Sequence, residues 1–115
     1  MSREKGALQV LNEIGMTVFE ETVRQILEER RSQLNMTEQA LGVLAFPHVA
    51  DSRRKVQSIR KGQGTGANRK PQQLRGTDII NMCEALGLAW KEVIKKGLEA
   101  AKTAQEEARL TAVER

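Results

Sequence analysis

Aromatic residues are scarce in this sequence. Its 115 residues include no tyrosine, and the whole aromatic set is Phe19, Phe46 and Trp90. Proteins that bind single-stranded nucleic acid stack the bases on aromatic rings. So small a set of rings argues against an RNA-binding protein of the stacking type.

Cysteine and histidine are scarcer still. Cys83 is the only cysteine, so the chain cannot close an internal disulfide, and His48 is the only histidine. No second thiol or group of histidines therefore stands at the spacing of metal ligands. We therefore expect no metal and no other cofactor. Because a lone thiol is typical of proteins in a reducing compartment, we also expect a cytoplasmic protein. The helical spacing around Cys83 places its side chain in the core.

Long apolar runs are also missing. No stretch approaches the roughly 20 apolar residues that cross a bilayer. The first residues include Arg3, Glu4 and Lys5 ahead of a broken apolar stretch, which differs from the core of a signal peptide. We expect neither a membrane span nor another contact with a membrane.

The sequence lacks a set of catalytic groups. No combination of nucleophile, base and oxyanion-binding group can be assembled from it. The glycine-rich segment at residues 62–66 differs from a dinucleotide-binding loop, because no strand precedes it and Ala67 follows it. We therefore do not expect an enzyme.

A concentrated positive charge lies between residues 51 and 75. Eight lysine and arginine residues stand there against the single acid Asp51, a net charge of +7, and the rest of the chain has eleven basic and fourteen acidic residues. A basic patch on an otherwise acidic protein is typical of a polyanion-binding site, because each cation placed against a phosphate releases condensed counterions. A solvated basic loop is the alternative explanation.

Apolar residues recur at helical spacing, and no strand pattern is present, so the sequence predicts an all-α fold of five helices. Thr17 and Glu20 have the spacing of a capping box and predict a first helix over residues 18–33. Thr37 is the predicted cap of a short second helix that ends at Phe46 and Pro47.

The third predicted helix is the basic one. Asp51 and Ser52 can cap it, and it extends to about residue 61, with Val56 and Ile59 pointing inward. A polar loop with four glycines then covers residues 62–76.

Two further helices complete the prediction. The fourth starts at Thr77 and stops at Gly87, because glycine favours a helix end. The fifth begins near residue 89, and its apolar spacing turns five residues inward: Trp90, Val93, Ile94, Leu98 and Ala101.

The chain is predicted to divide into three parts. Residues 17–101 form the main domain, residues 1–16 a helical extension, and residues 102–115 a helical tail that either protrudes or frays. Leu8, Leu11 and Ile14 give the extension an apolar stripe that needs a partner surface. That surface is either the chain's own carboxyl-terminal helix or a second subunit.

Three segments carry a family resemblance. They are MTEQALG at residues 36–42, VQSIRKG at residues 56–62, and the longer segment 79–94, which contains an Ala-Leu-Gly-Leu turn between two helices. They are similar to the second helix, the third helix and the closing helices of lambda-repressor and Cro-like helix-turn-helix regulators, the XRE family. The resemblance implies a five-helix lambda-repressor-like domain, here with an extra amino-terminal helical segment and an extended carboxyl-terminal helix.

The sequence departs from the family pattern in three places. It has a few residues more between Gly42 and Gly62, and the loop at residues 62–76 is longer than usual. The residue after the capping Thr37 is Glu38, where the family commonly has a glutamine that holds a phosphate. Either Gln39 makes that contact instead, or the helix lies further from the DNA backbone.

The resemblance makes the third helix the recognition helix. With Val56 and Ile59 buried, the helical period points Arg54, Gln57, Ser58 and Lys61 outward, with Arg53 on the flank. Arginine reads guanine through its two major-groove acceptors, glutamine pairs with adenine, and a serine contacts a base or a phosphate. We expect Lys61, Arg69, Lys70 and Arg75 to hold phosphates, with Arg69 able to enter a minor groove.

The sequence therefore predicts a transcriptional regulator of bacterial or phage type that binds double-stranded DNA sequence-specifically. The resemblance also implies a homodimer, since regulators of this family often bind two half-sites about one DNA turn apart. The alternative is a helical protein-interaction module, such as an adaptor or an antitoxin-like partner.

Overall fold

The structure is a computed structural model that describes residues 6–60 and 74–114. These residues form five helices and no strand, as predicted. Within them, no helix is both long and apolar enough to cross a membrane. The helices, in chain order, are α1 (Ala7–Gln33), α2 (Glu38–Ala45), α3 (Ser52–Arg60), α4 (Gly76–Leu86) and α5 (Trp90–Glu114).

The first helix is longer than predicted. It begins at Ala7, not at residue 18, so Thr17 lies inside the helix and is not a cap. Gly15 does not interrupt α1, because it is buried where α5 passes close: a Cβ atom there would lie 2.5 Å from Nε2 of Gln105. The helix therefore continues across the predicted boundary between residues 16 and 17.

The two long helices, α1 and α5, pack against each other in antiparallel orientation. Near one end of the contact, Nε2 of Gln105 donates a hydrogen bond to the carbonyl oxygen of Leu11 at 2.8 Å. Further along, a Cβ atom at Gly97 would lie 2.7 Å from the Phe19 ring and 3.0 Å from Val23. At Leu11 and Gly15, the described part of the amino-terminal segment thus packs on the chain's own carboxyl-terminal helix, which stays helical to Glu114.

One predicted inward residue of α5 points outward. Leu98 is 58% exposed, whereas Val93 and Ala101 are buried. The close approach of α1 at Gly97 explains the difference, because it centres the buried face of α5 on residues 93, 97 and 101. Leu98 lies about 100° away from Gly97 around the helix, at 3.6 residues per turn.

The three short helices cover one end of this helical pair. Their limits follow local signals: the Thr37 side chain accepts a hydrogen bond from the Ala40 N–H, and Gly87 ends α4 in a left-handed conformation with φ of 71°. Buried side chains from all five helices and from the segments between them form a single core: Val23, Leu27, Leu41, Ala45, Phe46, Val56, Ile59, Leu74, Ile79, Met82, Cys83, Leu86 and Val93.

Cys83 lies in this core, as predicted, and its side chain is fully buried. Desolvation raises the pKa of the thiol to about 11. Since only the thiolate reacts with disulfide reagents, we expect a thiol reagent at pH 8 to label the folded protein far more slowly than the urea-unfolded protein. Equal labelling rates in the two states would contradict this burial. The absorbance of released thionitrobenzoate measures both rates.

Candidate nucleic-acid interface

The start of α3 lies directly against α2. A Cβ atom added to Gly42 would lie only 2.7 Å from the carbonyl carbon and oxygen of Ser52. Gly42 is buried, and only a glycine at this position leaves room for the backbone of α3. The connection between the helices is anchored by Phe46, which is 5% exposed, while Pro47 and His48 are at the surface.

The first turn of α3 presents two exposed arginines, Arg53 and Arg54. The helix begins where predicted, because Oδ1 of Asp51 accepts a hydrogen bond from the Arg54 N–H at 3.2 Å. On the opposite side Val56 and Ile59 are each 1% exposed. The guanidinium groups of both arginines make no hydrogen bond or ion pair with any described residue. They are the best-placed of the predicted base-reading side chains.

Gln57 and Ser58 are less available than predicted. The Gln57 side chain is half-buried, and its Nε2 donates a weak hydrogen bond to Glu38 Oε1 at 3.3 Å. The prediction that Ser58 faces outward is wrong, because the residue is only 9% exposed. The last turn of α3 packs against α1 as well as α2: the Ile59 carbonyl accepts a hydrogen bond from Nε of Arg24 at 2.9 Å. The open face of α3 is therefore narrower than helical periodicity alone indicates.

The carboxylate of Glu38 is paired with Arg60 and therefore does not repel a phosphate. The sequence alone did not indicate this ion pair. Oε2 of Glu38 accepts hydrogen bonds from Nε and Nη2 of Arg60 at 2.8 and 2.6 Å, and the Glu38 side chain is only 15% exposed. Arg60 also lies 3.7 Å from a carboxylate oxygen of Glu28 on α1. This ion-pair network fixes the end of α3 to both α1 and α2, and it neutralises the acid at the start of α2.

Lys55 is likewise used inside the protein. Its Nζ lies 3.5 Å from Oδ1 of Asp78, in the first turn of α4, and 5.0 Å from the centre of the Phe46 ring. Asp78 is 4% exposed, and its Oδ2 has no hydrogen-bond partner among the described residues. The pair connects α3 to α4. Of the charged patch, Lys55 and Arg60 therefore hold the fold together, while Arg53 and Arg54 face solvent.

We expect Asp78→Ala to lower the free energy of unfolding by about 1–3 kcal/mol. The change removes the partner of Lys55 and a negative charge near the positive end of the α4 dipole. Urea denaturation followed by circular dichroism measures the effect. Glu84→Ala on the same helix is the matched control, since Glu84 is exposed and should change stability by no more than about 0.5 kcal/mol. Equal effects of the two changes would contradict a structural role for the Lys55 and Asp78 pair.

Of the remaining predicted contacts, the structure describes Gln39 and Arg75. Gln39 is exposed in the first turn of α2, and Arg75 is exposed at the N-cap position of α4. The guanidinium group of Arg75 has no ion-pair partner in the described part of the chain. Lys61, Arg69 and Lys70 lie outside the described residues.

Among residues 6–60 and 74–114, no group of three or more histidine, cysteine, aspartate or glutamate side chains is placed to hold a metal ion. The exposed cationic groups described in and near α3 are instead the guanidinium groups of Arg53, Arg54 and Arg75. Comparison of the chain with known protein families, with curated proteins and with solved structures finds no match in any of the three.

Proposed function

We propose that the protein is a sequence-specific regulator of transcription that binds double-stranded DNA by inserting α3 into the major groove. The observation that carries this proposal is the pair of exposed arginines, Arg53 and Arg54, in the first turn of a helix whose opposite face is buried. The major groove is about 12 Å wide and admits one α-helix. Recognition helices contact base edges mainly through residues near their amino-terminal end.

The packing of α3 favours this function over a solvated basic loop. Its first turn lies against α2 at Gly42, and its last turn is held by Arg24 and by the ion pairs of Arg60. A helix fixed at both ends presents its side chains in a constant position, which base recognition requires. Two cations of the patch, Lys55 and Arg60, hold α3 in place. Arg53 and Arg54 on the exposed side remain available to contact DNA.

The surroundings of α3 supply the phosphate contacts in this proposal. Arg75 and Gln39 are exposed on neighbouring elements, and the amino-terminal N–H groups of α2 favour an anion. The acid at that end, Glu38, is neutralised by Arg60. We also propose that the regulator acts as a homodimer on two half-sites, with Lys61, Arg69 and Lys70 as further phosphate contacts.

A second candidate function is a helical protein-interaction module, such as an antitoxin-like adaptor. It is favoured by exposed apolar side chains on α2 and in the turn that follows it: Val43 and Leu44 are 55% and 59% exposed, and Val49 is 41% exposed. Exposed apolar groups of this kind often mark protein contacts. Under this function, no DNA sequence is preferred.

The test is binding of the purified protein to a randomised duplex pool, with sequencing of the bound fraction. We expect an enriched motif, and a motif with twofold symmetry if the protein binds as a dimer. Steeply salt-dependent binding without enrichment would reduce α3 to a phosphate-binding surface and overturn sequence-specific recognition. Absence of binding would favour the protein-interaction module.

A further inference from the structure

We propose that two copies of the chain associate through the outer face of α5, with the two helices antiparallel. The twofold axis crosses the contact at the level midway between residues 100 and 101 along the helix. The charge pattern of α5 identifies this surface of self-association, and the association does not require the proposed DNA binding.

Within residues 6–60 and 74–114, no other helix covers the outer face of α5. Val93, Gly97 and Ala101 turn toward α1 and the core and are buried. On the opposite side, nine exposed residues fall within about a third of the helix circumference, at 3.6 residues per turn. They are Lys91, Glu92, Lys95, Leu98, Glu99, Lys102, Glu106, Arg109 and Leu110. We call these residues the outer stripe.

Charges alternate in sign along the middle of the outer stripe. From Lys95 the order is basic, acidic, basic, acidic and basic, at steps of four and three residues, ending at Arg109. None of these side chains forms an ion pair within the described part of the chain. An alternating row of this spacing is complementary to an antiparallel copy of itself, whereas a parallel copy in register would place like charges opposite each other.

The proposed register gives every one of these charges an opposite partner. Lys95 of one copy faces Glu106 of the other, Glu99 faces Lys102, and Glu92 faces Arg109. Each contact occurs twice because of the twofold symmetry. Sliding one helix by about one turn would bring Glu99 opposite Glu99 or Lys102 opposite Lys102. The charge order therefore selects both the orientation and the register.

Apolar groups at the edge of the outer stripe add to these contacts. Leu98 is 58% exposed, and Met16 of α1, which is 56% exposed, lines the same open groove between α1 and α5. A second α5 laid along the stripe removes both side chains from water. Exposed ion pairs each contribute little affinity, so Leu98 and Met16 supply affinity while the charges set the register.

This surface also leaves α3 accessible. In the described chain α5 packs on α1 and α4, and α3 packs on α2 and α1. Both copies of the Arg53 and Arg54 pair therefore remain exposed in the dimer.

Sedimentation equilibrium without DNA tests the proposal. We expect the wild type to dimerise, and Glu99→Lys and Lys102→Glu each to weaken association on the order of ten-fold, because each change places like charges opposite each other twice. The double variant Glu99→Lys/Lys102→Glu should dimerise like the wild type. Glu107→Lys is the control and should leave association unchanged, since Glu107 is exposed on α5 outside the outer stripe. Circular dichroism checks that every variant is folded.

A mixture of the two single variants gives the sharpest result. In a heterodimer of the Glu99→Lys and Lys102→Glu chains, both central contacts join opposite charges, so mixing two weakly associating proteins should produce dimers. A wild type that stays monomeric, a double variant as weak as the single ones, or a mixture that does not dimerise would overturn the proposal. Because no DNA is present, failure here is distinct from failure of sequence-specific DNA binding.

Discussion

Replacing Arg53 and Arg54 together by alanine is expected to weaken binding to the preferred duplex by about 100-fold or more, and binding to random duplex by about ten-fold. The difference has a physical cause. A bidentate arginine contact to guanine contributes about 1–3 kcal/mol of discrimination, whereas the charge alone contributes equally on every sequence. Fluorescence anisotropy with labelled duplexes measures both affinities.

The matched control for this change is Arg53→Lys/Arg54→Lys. Lysine keeps the charge but lacks the planar fork of donors that arginine presents to guanine, so random binding should stay near the wild-type value while the preference falls. Because both side chains are exposed and make no hydrogen bond or ion pair within the described chain, neither pair of changes should alter the thermal stability. An unchanged preference in the alanine variant would show that α3 does not read bases.

The second large effect is expected for Gly42→Val. The added side chain would lie 2.7 Å from the backbone of Ser52, which cannot move without shifting α3 as a whole. Overpacking against backbone, together with the branched side chain, should lower the free energy of unfolding by about 2–4 kcal/mol. DNA affinity should fall as well, because α3 is displaced relative to α2.

Gly76→Val provides the comparison for Gly42. A Cβ atom there meets nothing within 4 Å, and Gly76 is exposed at the start of α4. Its stability change should stay near or below about 0.5 kcal/mol, the usual limit for an unhindered surface position. Urea denaturation of both variants measures the contrast. A Gly42→Val protein as stable as Gly76→Val would contradict the close contact between α2 and α3.

Much of the fold was predictable because its signals are local. Thr37 and Asp51 cap the helices that they were expected to cap, and Gly87 ends α4 in the left-handed conformation that favours glycine. The spacing of Val56 and Ile59 identified the buried side of α3 and hence the exposed side of Arg53 and Arg54.

The errors arose where distant contacts override local signals. Thr17 and Glu20 match a capping box, yet α1 passes through them because α5 contacts α1 on both sides of Thr17, at Leu11 and at Phe19. Ser58 lies on the nominally open side of α3 but is buried, because the last turn of α3 packs against both α1 and α2. No helical period contains that information.

The same limit applies to the charges of the candidate site. The ion pair between Glu38 and Arg60 joins residues on different helices, and no local pattern distinguishes Arg60 from Arg53. From the sequence, Lys55 and Arg60 were therefore assigned to the basic patch, although both residues connect α3 to neighbouring helices. Residue spacing placed Arg53 and Arg54 at the surface, but it could not show that Lys55 and Arg60 are paired inside the protein.

Direct titration of the selected duplex against a scrambled duplex of the same composition, at two salt concentrations, tests the central claim most directly. A sequence-reading protein should bind the selected duplex on the order of 10³-fold more tightly or better. Both affinities should fall as salt rises, while the ratio between them largely persists, since phosphate contacts are common to the two duplexes. Equal affinities for the two duplexes at both salt concentrations would contradict sequence-specific recognition by α3.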